Sequence, residues 1–487
     1  MKTENVSRTV LAAGVGAVIA ATALLYAPEL APGLFDDRRP PPGPAARARI
    51  AAEAGAPASL PDLAALIGDR EKWLAKHPED EGSWAVLGAA YTERGVRLGD
   101  ASAYPRAERA LRRSLAVVPA ERGNVDARLG LGALANARGD WKSARSWAEG
   151  VRTADPKRWS TYPVLIDAYN GLGEYASARK AMDRLRELHS GAAVSARAAL
   201  TYRDRGWRED ASAAALDAVG LAETAMEKAV ALSRLGDLAW ERGEPEEAVA
   251  QYGTALGLAP EHAPALAGRG RALAALGRSD EAVRDYRAAL ALQPVPEYVL
   301  EAGELFESLG MPEEAQAQYG LLRTRVWANR SDAEVVLGLF EADHGDPAAA
   351  VRRLKAEWTR GHRSVRVADA LGWALYRAGE PKEALGYAKR ATDEGLRSAL
   401  FAYHRGEIER TLEELGPARR HLAEALRINP WFSPLLAVKA QEAVAEVGEP
   451  SDGPPPELRG GSPKPAAPKP DGQEKPEPGQ RPRGTAA

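Results

Sequence analysis

The chain has 487 residues, with 65 basic against 68 acidic side chains and a formal charge of −3, a balance that points to neither nucleic acid nor a charged membrane surface as partner. It contains no cysteine, which excludes disulfides, thiolate metal sites, cysteine nucleophiles and a lipid-modified N-terminal cysteine. Its histidines, from His77 to His421, are scattered without a close metal-ligand pair, so neither a metal nor a cofactor is expected.

Residues 1–8 form a short N-terminal segment carrying Lys2 and Arg8. From Thr9 to Pro28 twenty residues carry no charge, and as a helix they would span a hydrocarbon core of ~30 Å. One N-terminal transmembrane helix is therefore expected over 9–28, as an uncleaved signal anchor. The basic residues ahead of it favour a cytoplasmic N-terminus and an array outside the cell membrane, although Arg38 and Arg39 on the far side work against that orientation. The alternative is a cleaved signal and a secreted protein, for which no clean small-x-small cleavage site follows the apolar run. Residues 29–58 read as a Pro-rich linker, stiffened by Pro40-Pro41-Pro42-Gly43-Pro44. Residues 59–80 read as a lead-in helix with Ser59 as N-cap, Pro61 in the first turn and Trp73-Leu74 on the packing face.

A repeating pattern occupies 81–432. Glycines stand at Gly236, Gly270, Gly303, Gly338, Gly372 and Gly406, and alanines twelve positions later at Ala248, Ala282, Ala315, Ala350, Ala384 and Ala418. Apolar and small positions recur at steps of three and four, which is helical spacing. Leu235-Gly236 sits on a first helix ending near Gly243, and Ala248, Tyr252 and Ala255 mark a second helix closed by Pro260. Gly236 and Ala248 lie where two antiparallel helices approach closely. Gly88 and Gly132 hold the equivalent place earlier in the chain.

The order aromatic or Leu, Leu-Gly, Tyr, Gly, Ala, Tyr/Phe, Ala, Pro resembles the tetratricopeptide repeat (TPR), and Trp84, Leu87-Gly88 and Tyr91 fit its opening. The resemblance implies an all-α fold, a right-handed superhelix of about ten antiparallel helix pairs. Repeat 1 carries an insertion near 95–104, and repeat 4, Ala-rich around Tyr202, Gly206 and Ala211, is degenerate. Residues 433–447 read as a capping helix over the exposed end of the array. Residues 448–487, dense in Pro, Gly and charge, read as a disordered tail.

No GxSxG, HExxH or phosphate loop is present, so no enzyme is expected. In TPR folds the first helix of each unit lines the concave surface near its Leu-Gly pair. That register places Arg234, Asp237 and Trp240 in a partner-binding groove, then Glu297, Glu301 and Glu304. The ninth repeat supplies Arg366, Asp369, Trp373, Tyr376 and Arg377, and the tenth Tyr403, Glu407 and Arg410. An acidic stretch thus precedes an aromatic and basic one, the latter rich in residue types common at binding hot spots. The alternative for Trp373 and Tyr376 is that they fill space between adjacent first helices. The expected function is a membrane-tethered scaffold holding a protein or peptide in its groove. Leu74, His77-Pro78, Asp80, Ser83-Trp84, Leu87-Gly88 and Tyr91, following a membrane helix, also resemble bacterial TPR subunits of c-type cytochrome maturation, which would imply an assembly factor for a cell-envelope complex.

Overall fold

A computed structural model describes residues 42–325, 327 and 330–448. The apolar stretch 9–28 and residues 449–487 of the tail lie outside them. Among the described residues there are 23 α-helices and no strand, and no helix is long and apolar enough to cross a membrane.

Two helices precede the array, α1 (Pro44–Glu53) and α2 (Leu60–Leu74). The first corrects the reading of 29–58 as linker throughout: Pro44 sets the first helical turn, the following residues are mostly Ala and Arg, and Ala48 is buried. Alanine and arginine are strong helix formers, and Pro is tolerated at the N-terminus where its missing N–H costs nothing. Helix α2 starts at Ser59, whose hydroxyl accepts from the Asp62 amide at 3.2 Å.

Ten helical hairpins follow. The first four are α3–α4 (Glu81–Leu98, Tyr104–Val117), α5–α6 (Val125–Ala137, Trp141–Ala154), α7–α8 (Thr161–Leu172, Tyr175–Leu188) and α9–α10 (Ala192–Arg203, Arg208–Leu221). The next three are α11–α12 (Ala225–Glu241, Pro245–Leu258), α13–α14 (Ala263–Ala275, Ser279–Leu292) and α15–α16 (Pro296–Ser308, Pro312–Thr324). The last three are α17–α18 (Arg330–His344, Pro347–Arg360), α19–α20 (Val365–Arg377, Pro381–Asp393) and α21–α22 (Ala399–Thr411, Leu415–Ile428), and α23 (Leu436–Val447) ends the array.

The insertion in repeat 1 lengthens its first helix to 18 residues and adds the short 3-10 turn Ala101–Ala103. Gly95 accommodates the ring of Tyr104 there, with no room for a Cβ. Repeat 4, degenerate in sequence, is a regular hairpin, because Ala198, Ala199, Ala211, Ala215 and Ala218 are buried and pack where larger side chains pack elsewhere.

The glycine ladder has one steric cause. A Cβ at Gly236 would stand 2.7 Å from the ring of Tyr252, at Gly270 2.9 Å from Tyr286, at Gly303 2.5 Å from Tyr319, and at Gly406 2.7 Å from Leu422. Gly338 meets Leu354 and Gly88 meets Leu111 the same way, whereas Gly372 lies against the Ala384 and Ala388 backbone and Gly132 against Val164. In most repeats, then, the bulky residue of the second helix lies on the bare backbone of the first. The six alanines of the parallel ladder are all 0–1% exposed, so a methyl group fills each of those contacts.

Successive superhelical turns touch. The backbone amide of Val365 donates to Tyr175 Oη at 2.8 Å, 190 residues away, and Asn429 Nδ2 donates to the Trp240 carbonyl at 2.8 Å, 189 residues away. Gln293 Nε2 donates to the Val96 carbonyl at 2.9 Å across 197 residues. With 34 residues per repeat, such spacings correspond to about five and a half repeats per turn. The pattern is regular: the turn inside one repeat meets the loop that follows the repeat five units on. Gly99 faces Pro294, Gly206 faces the Gly395 carbonyl, and Gly243 faces Asn429 and Pro430. Gly173 sits so close to the Arg363 carbonyl that no side chain fits. The equivalent turn glycines of later repeats, Gly277, Gly310 and Gly379, have nothing within 4 Å.

Candidate functional site

The first helices line a narrow concave face on which side chains from non-adjacent repeats meet. Arg366 Nη2 donates to Glu297 Oε1 at 3.2 Å, across the intervening repeat, and lies 3.9 Å from Asp332. Arg271 pairs with Glu301 at 2.8 Å, its guanidinium lies 5.8 Å above the Trp240 ring, and Tyr286 Oη donates to the same Glu301 at 3.0 Å. Arg203 lies 3.6 Å from Glu241 and Arg234 2.9 Å from Asp237, which also accepts from Tyr252 Oη at 2.8 Å.

Burial shapes the charges on this face. Desolvation alone lowers the pKa of Arg271, but Glu301, Tyr286 and Tyr252 more than compensate and hold it well above the ordinary arginine value. Burial raises Glu304, and the hydrogen bond with His344 only partly offsets this. His262 is pushed down to about 4 by burial, with Arg97 and Arg234 adding to the shift and Asp237 opposing it. Opposite charges placed in one low-dielectric space attract strongly only when each is paired, and here nearly all are.

The predicted groove residues therefore divide. Arg234, Asp237, Glu297, Glu301, Glu304 and Arg366 are on the concave face, joined to neighbours by ion pairs; Glu304 lies 3.8 Å from His344. Arg366 keeps 51% of its side chain exposed. Trp240, Asp369, Trp373, Tyr403 and Glu407 are buried, so they are interior residues rather than an open groove wall. Trp373 stacks on His404 at 4.1 Å, contacts the rings of Tyr376 and Tyr403, and donates from Nε1 to Asp343 at 3.0 Å. Asp369 accepts from His404 Nδ1 at 3.0 Å. The aromatic and basic stretch is thus the packing between adjacent first helices. Arg377 closes it from outside, 3.0 Å from Asp343 and 5.7 Å above Trp373. Arg410 bridges Glu407 at 2.8 Å and Glu446 of the capping helix at 3.1 Å.

A roomier site lies at the N-terminal end. A cleft of about 650 Å³ opens between α2, α3 and α4, with Leu74, Trp84, Leu87 and Tyr91 on its floor and Arg106, Arg109 and Arg113 along one edge. The arginines recur every three or four residues and so share a face of α4. Leu111 and Ala107, on the opposite side of that helix, are fully buried. Trp84 is fixed by its indole N–H, which donates to the Pro78 carbonyl at 2.9 Å. Tyr91 donates to Glu71 across the cleft and has its pKa raised, mainly by burial. Arg109 and Arg113 are exposed and take part in no ion pair or hydrogen bond among the described residues. Trp84 and Tyr91 are visible in the sequence as repeat signature; the arginine edge is not, because an exposed basic helix face reads as ordinary solvated surface. Among the described residues no cluster of His, Asp or Glu could hold a metal ion.

Fold and site together define a helical-hairpin solenoid with an open cleft near its N-terminal end and a charge-paired concave face. Residues 92–158, 233–297 and 370–430 match the tetratricopeptide repeat family model, and these stretches are tetratricopeptide repeats. No curated protein matches the sequence. Among solved structures, the APC/C hetero-tetramer Cut9–Hcn1 is 15% identical, covers 90% of this chain and 88% of that one, and superposes with a TM-score of 0.41. The human IFIT1 dimer with PPP-AAAA is 14% identical, covering 74% of this chain and 88% of that one, with a TM-score of 0.43. Yeast Tom70 is 14% identical over 75% of this chain and 97% of that one, with a TM-score of 0.33.

Proposed function

We propose that this protein is a non-catalytic scaffold, tethered to a membrane through residues 9–28, that holds an acidic segment of a protein partner in the cleft between α2 and α4. The observation that carries the reading is the pairing of an apolar floor, Leu74, Trp84 and Leu87, with Arg109 and Arg113 exposed and without ionic partners. A peptide with one bulky apolar residue and two or three carboxylates matches both features. Buried aromatic anchors beside arginines are common binding hot spots.

The test is binding of labelled acidic peptides carrying a Leu or Phe anchor to the full chain. Trp84→Ala is expected to weaken binding by about tenfold or more, and Arg109→Glu with Arg113→Glu to abolish its salt dependence. Equal binding of acidic and basic peptides would discard the cleft. A second reading places the partner on the concave face, where Arg366 is half exposed; a photo-crosslinker at position 366 then captures the same peptide and one at 109 does not. The narrower role in c-type cytochrome assembly rests on the Leu74–Tyr91 stretch, which borders this cleft, and predicts less covalently bound haem in a deletion strain.

A further inference from the structure

Arginine can neither deprotonate nor accept a hydrogen bond, so a guanidinium nitrogen removed from water needs an acceptor. Among the described residues, two such nitrogens lack one. Arg208 Nη2 and Arg397 Nε are both inaccessible to solvent and without a hydrogen-bond partner. They belong to different superhelical turns and line the same small cavity of about 10 Å³, together with Arg203, Glu241, Arg242 and Leu396. Gly206, whose backbone lies against the Gly395 carbonyl, lines it too.

The neighbouring charges are already committed. Arg203 pairs with Asp204 at 2.6 Å and lies 3.6 Å from Glu241. Arg242 pairs with Glu244 at 2.5 Å and donates to Ser212 Oγ at 3.1 Å. Arg397 uses Nη2 on Glu424 at 2.7 Å, leaving its Nε pointing elsewhere. Arg208 makes no ion pair or hydrogen bond among the described residues. Burial lowers its pKa and the adjacent Arg397 lowers it further. As the first residue of α10, it also places a cation where the helix dipole is already positive. Of the principal neighbouring charges, Glu241 alone favours a cation at 208.

We propose that Arg208 and Arg397 form a binding site for a small monoatomic anion, chloride-sized, that clasps one superhelical turn to the next. The cavity admits about one water-sized particle, which excludes phosphate, sulfate and nucleotides. Arg208 and Arg397 line it from the two turns, each with one unpartnered N–H, so an anion accepting from both would satisfy them and separate two like charges. Glu241 faces the same cavity and opposes the anion, held back by Arg203.

The test uses the full chain at constant ionic strength, exchanging gluconate for chloride. Hydrogen exchange at residues 204–208 and 394–398 is expected to slow with chloride; above the dissociation constant each tenfold rise in chloride lowers opening of the contact about tenfold. Arg208→Gln removes this dependence, Glu241→Gln strengthens it, and Arg112→Gln, on the exposed face of α4, leaves it unchanged. Bromide soaked into crystals is expected to give an anomalous peak within hydrogen-bond reach of Arg208 and Arg397, a readout independent of any variant's folding. Exchange that is the same in chloride and gluconate, or a water found bridging the two arginines in bromide, overturns the proposal.

Discussion

Tyr175 and Val365 meet across 190 residues, the phenol oxygen accepting the backbone N–H at 2.8 Å. Burial raises the pKa of this tyrosine far above the usual value, so it remains a neutral phenol throughout the working pH range. Tyr175→Phe keeps the ring and strands the Val365 amide, and is expected to cost about 1–2 kcal/mol. Hydrogen exchange at Val365 checks it: that amide should exchange faster while the Tyr252 hairpin, far from the contact, is unchanged.

Two turn glycines separate backbone strain from contact between turns. Gly173 and Gly277 share a φ of +73°, but Gly173 lies against the Arg363 backbone and Gly277 has nothing within 4 Å. Alanine at either position costs about 1 kcal/mol for the left-handed conformation. At 173 it also forces the turns apart, adding about 1–3 kcal/mol. Small-angle scattering should show a larger radius of gyration for Gly173→Ala and none for Gly277→Ala.

Glu413 is the one non-glycine residue with a positive φ, 61°, among the described residues. It occupies the turn position that Gly243 and Gly379 hold in other repeats. Glu413→Gly removes the steric cost of a Cβ there and is expected to raise stability by about 1 kcal/mol. Urea titration followed by circular dichroism reads the change, and a lower midpoint would count against it.

Helix interiors give the converse case. Gly253 lies inside α12 with nothing within 4 Å of an added Cβ, whereas Gly236 is closed by the Tyr252 ring. Gly253→Ala should stabilise by about 0.5–1 kcal/mol through helix propensity. Gly236→Ala should destabilise by about 1–3 kcal/mol because Tyr252 must move. Thermal melts of the pair should shift in opposite directions.

His262 sets an acid limit. Its folded pKa is about 4, from burial first and the charge of Arg97 second, against an unfolded value near 6.5. Between those values the unfolded chain binds a proton that the folded one does not. Stability is therefore full above about pH 6.5 and falls as pH drops toward 4. His344 runs the other way: burial lowers it, but Glu304 and Glu307 raise it overall, so its contribution is present at low pH and lost as pH rises. His262→Gln is expected to flatten the stability profile between pH 6.5 and 4, measured by denaturant titration at each pH.

The hairpins were legible from the sequence because their causes are local. Gly236, Ala248 and Tyr252 fix one helix pair within seventeen residues, and the glycine and alanine recur at the same spacing through the last six units. The cleft was half legible, Trp84 and Tyr91 standing in the repeat signature while Arg109 and Arg113 look like any solvated helix face. Trp373 was placed on a groove by register, but register gives a direction from the helix axis, not what fills the space there. Contacts such as Tyr175 with Val365 left no signal at all. They depend on the superhelical pitch, which accumulates small rotations over five repeats and is set by no single residue.

In an open solenoid each unit touches only the units before and after it, so stability is a sum along a line and unfolding spreads from either end by fraying. The contacts of Gly99, Gly173, Gly206 and Gly243 with loops five repeats on give most units one further neighbour, in the turn above or the turn below. The array becomes a rolled two-dimensional lattice, in which losing an end unit also exposes a unit far away in sequence. Such an object melts more sharply than its repeat count alone implies, and a deletion of one whole repeat shifts every later contact out of register rather than merely shortening the rod.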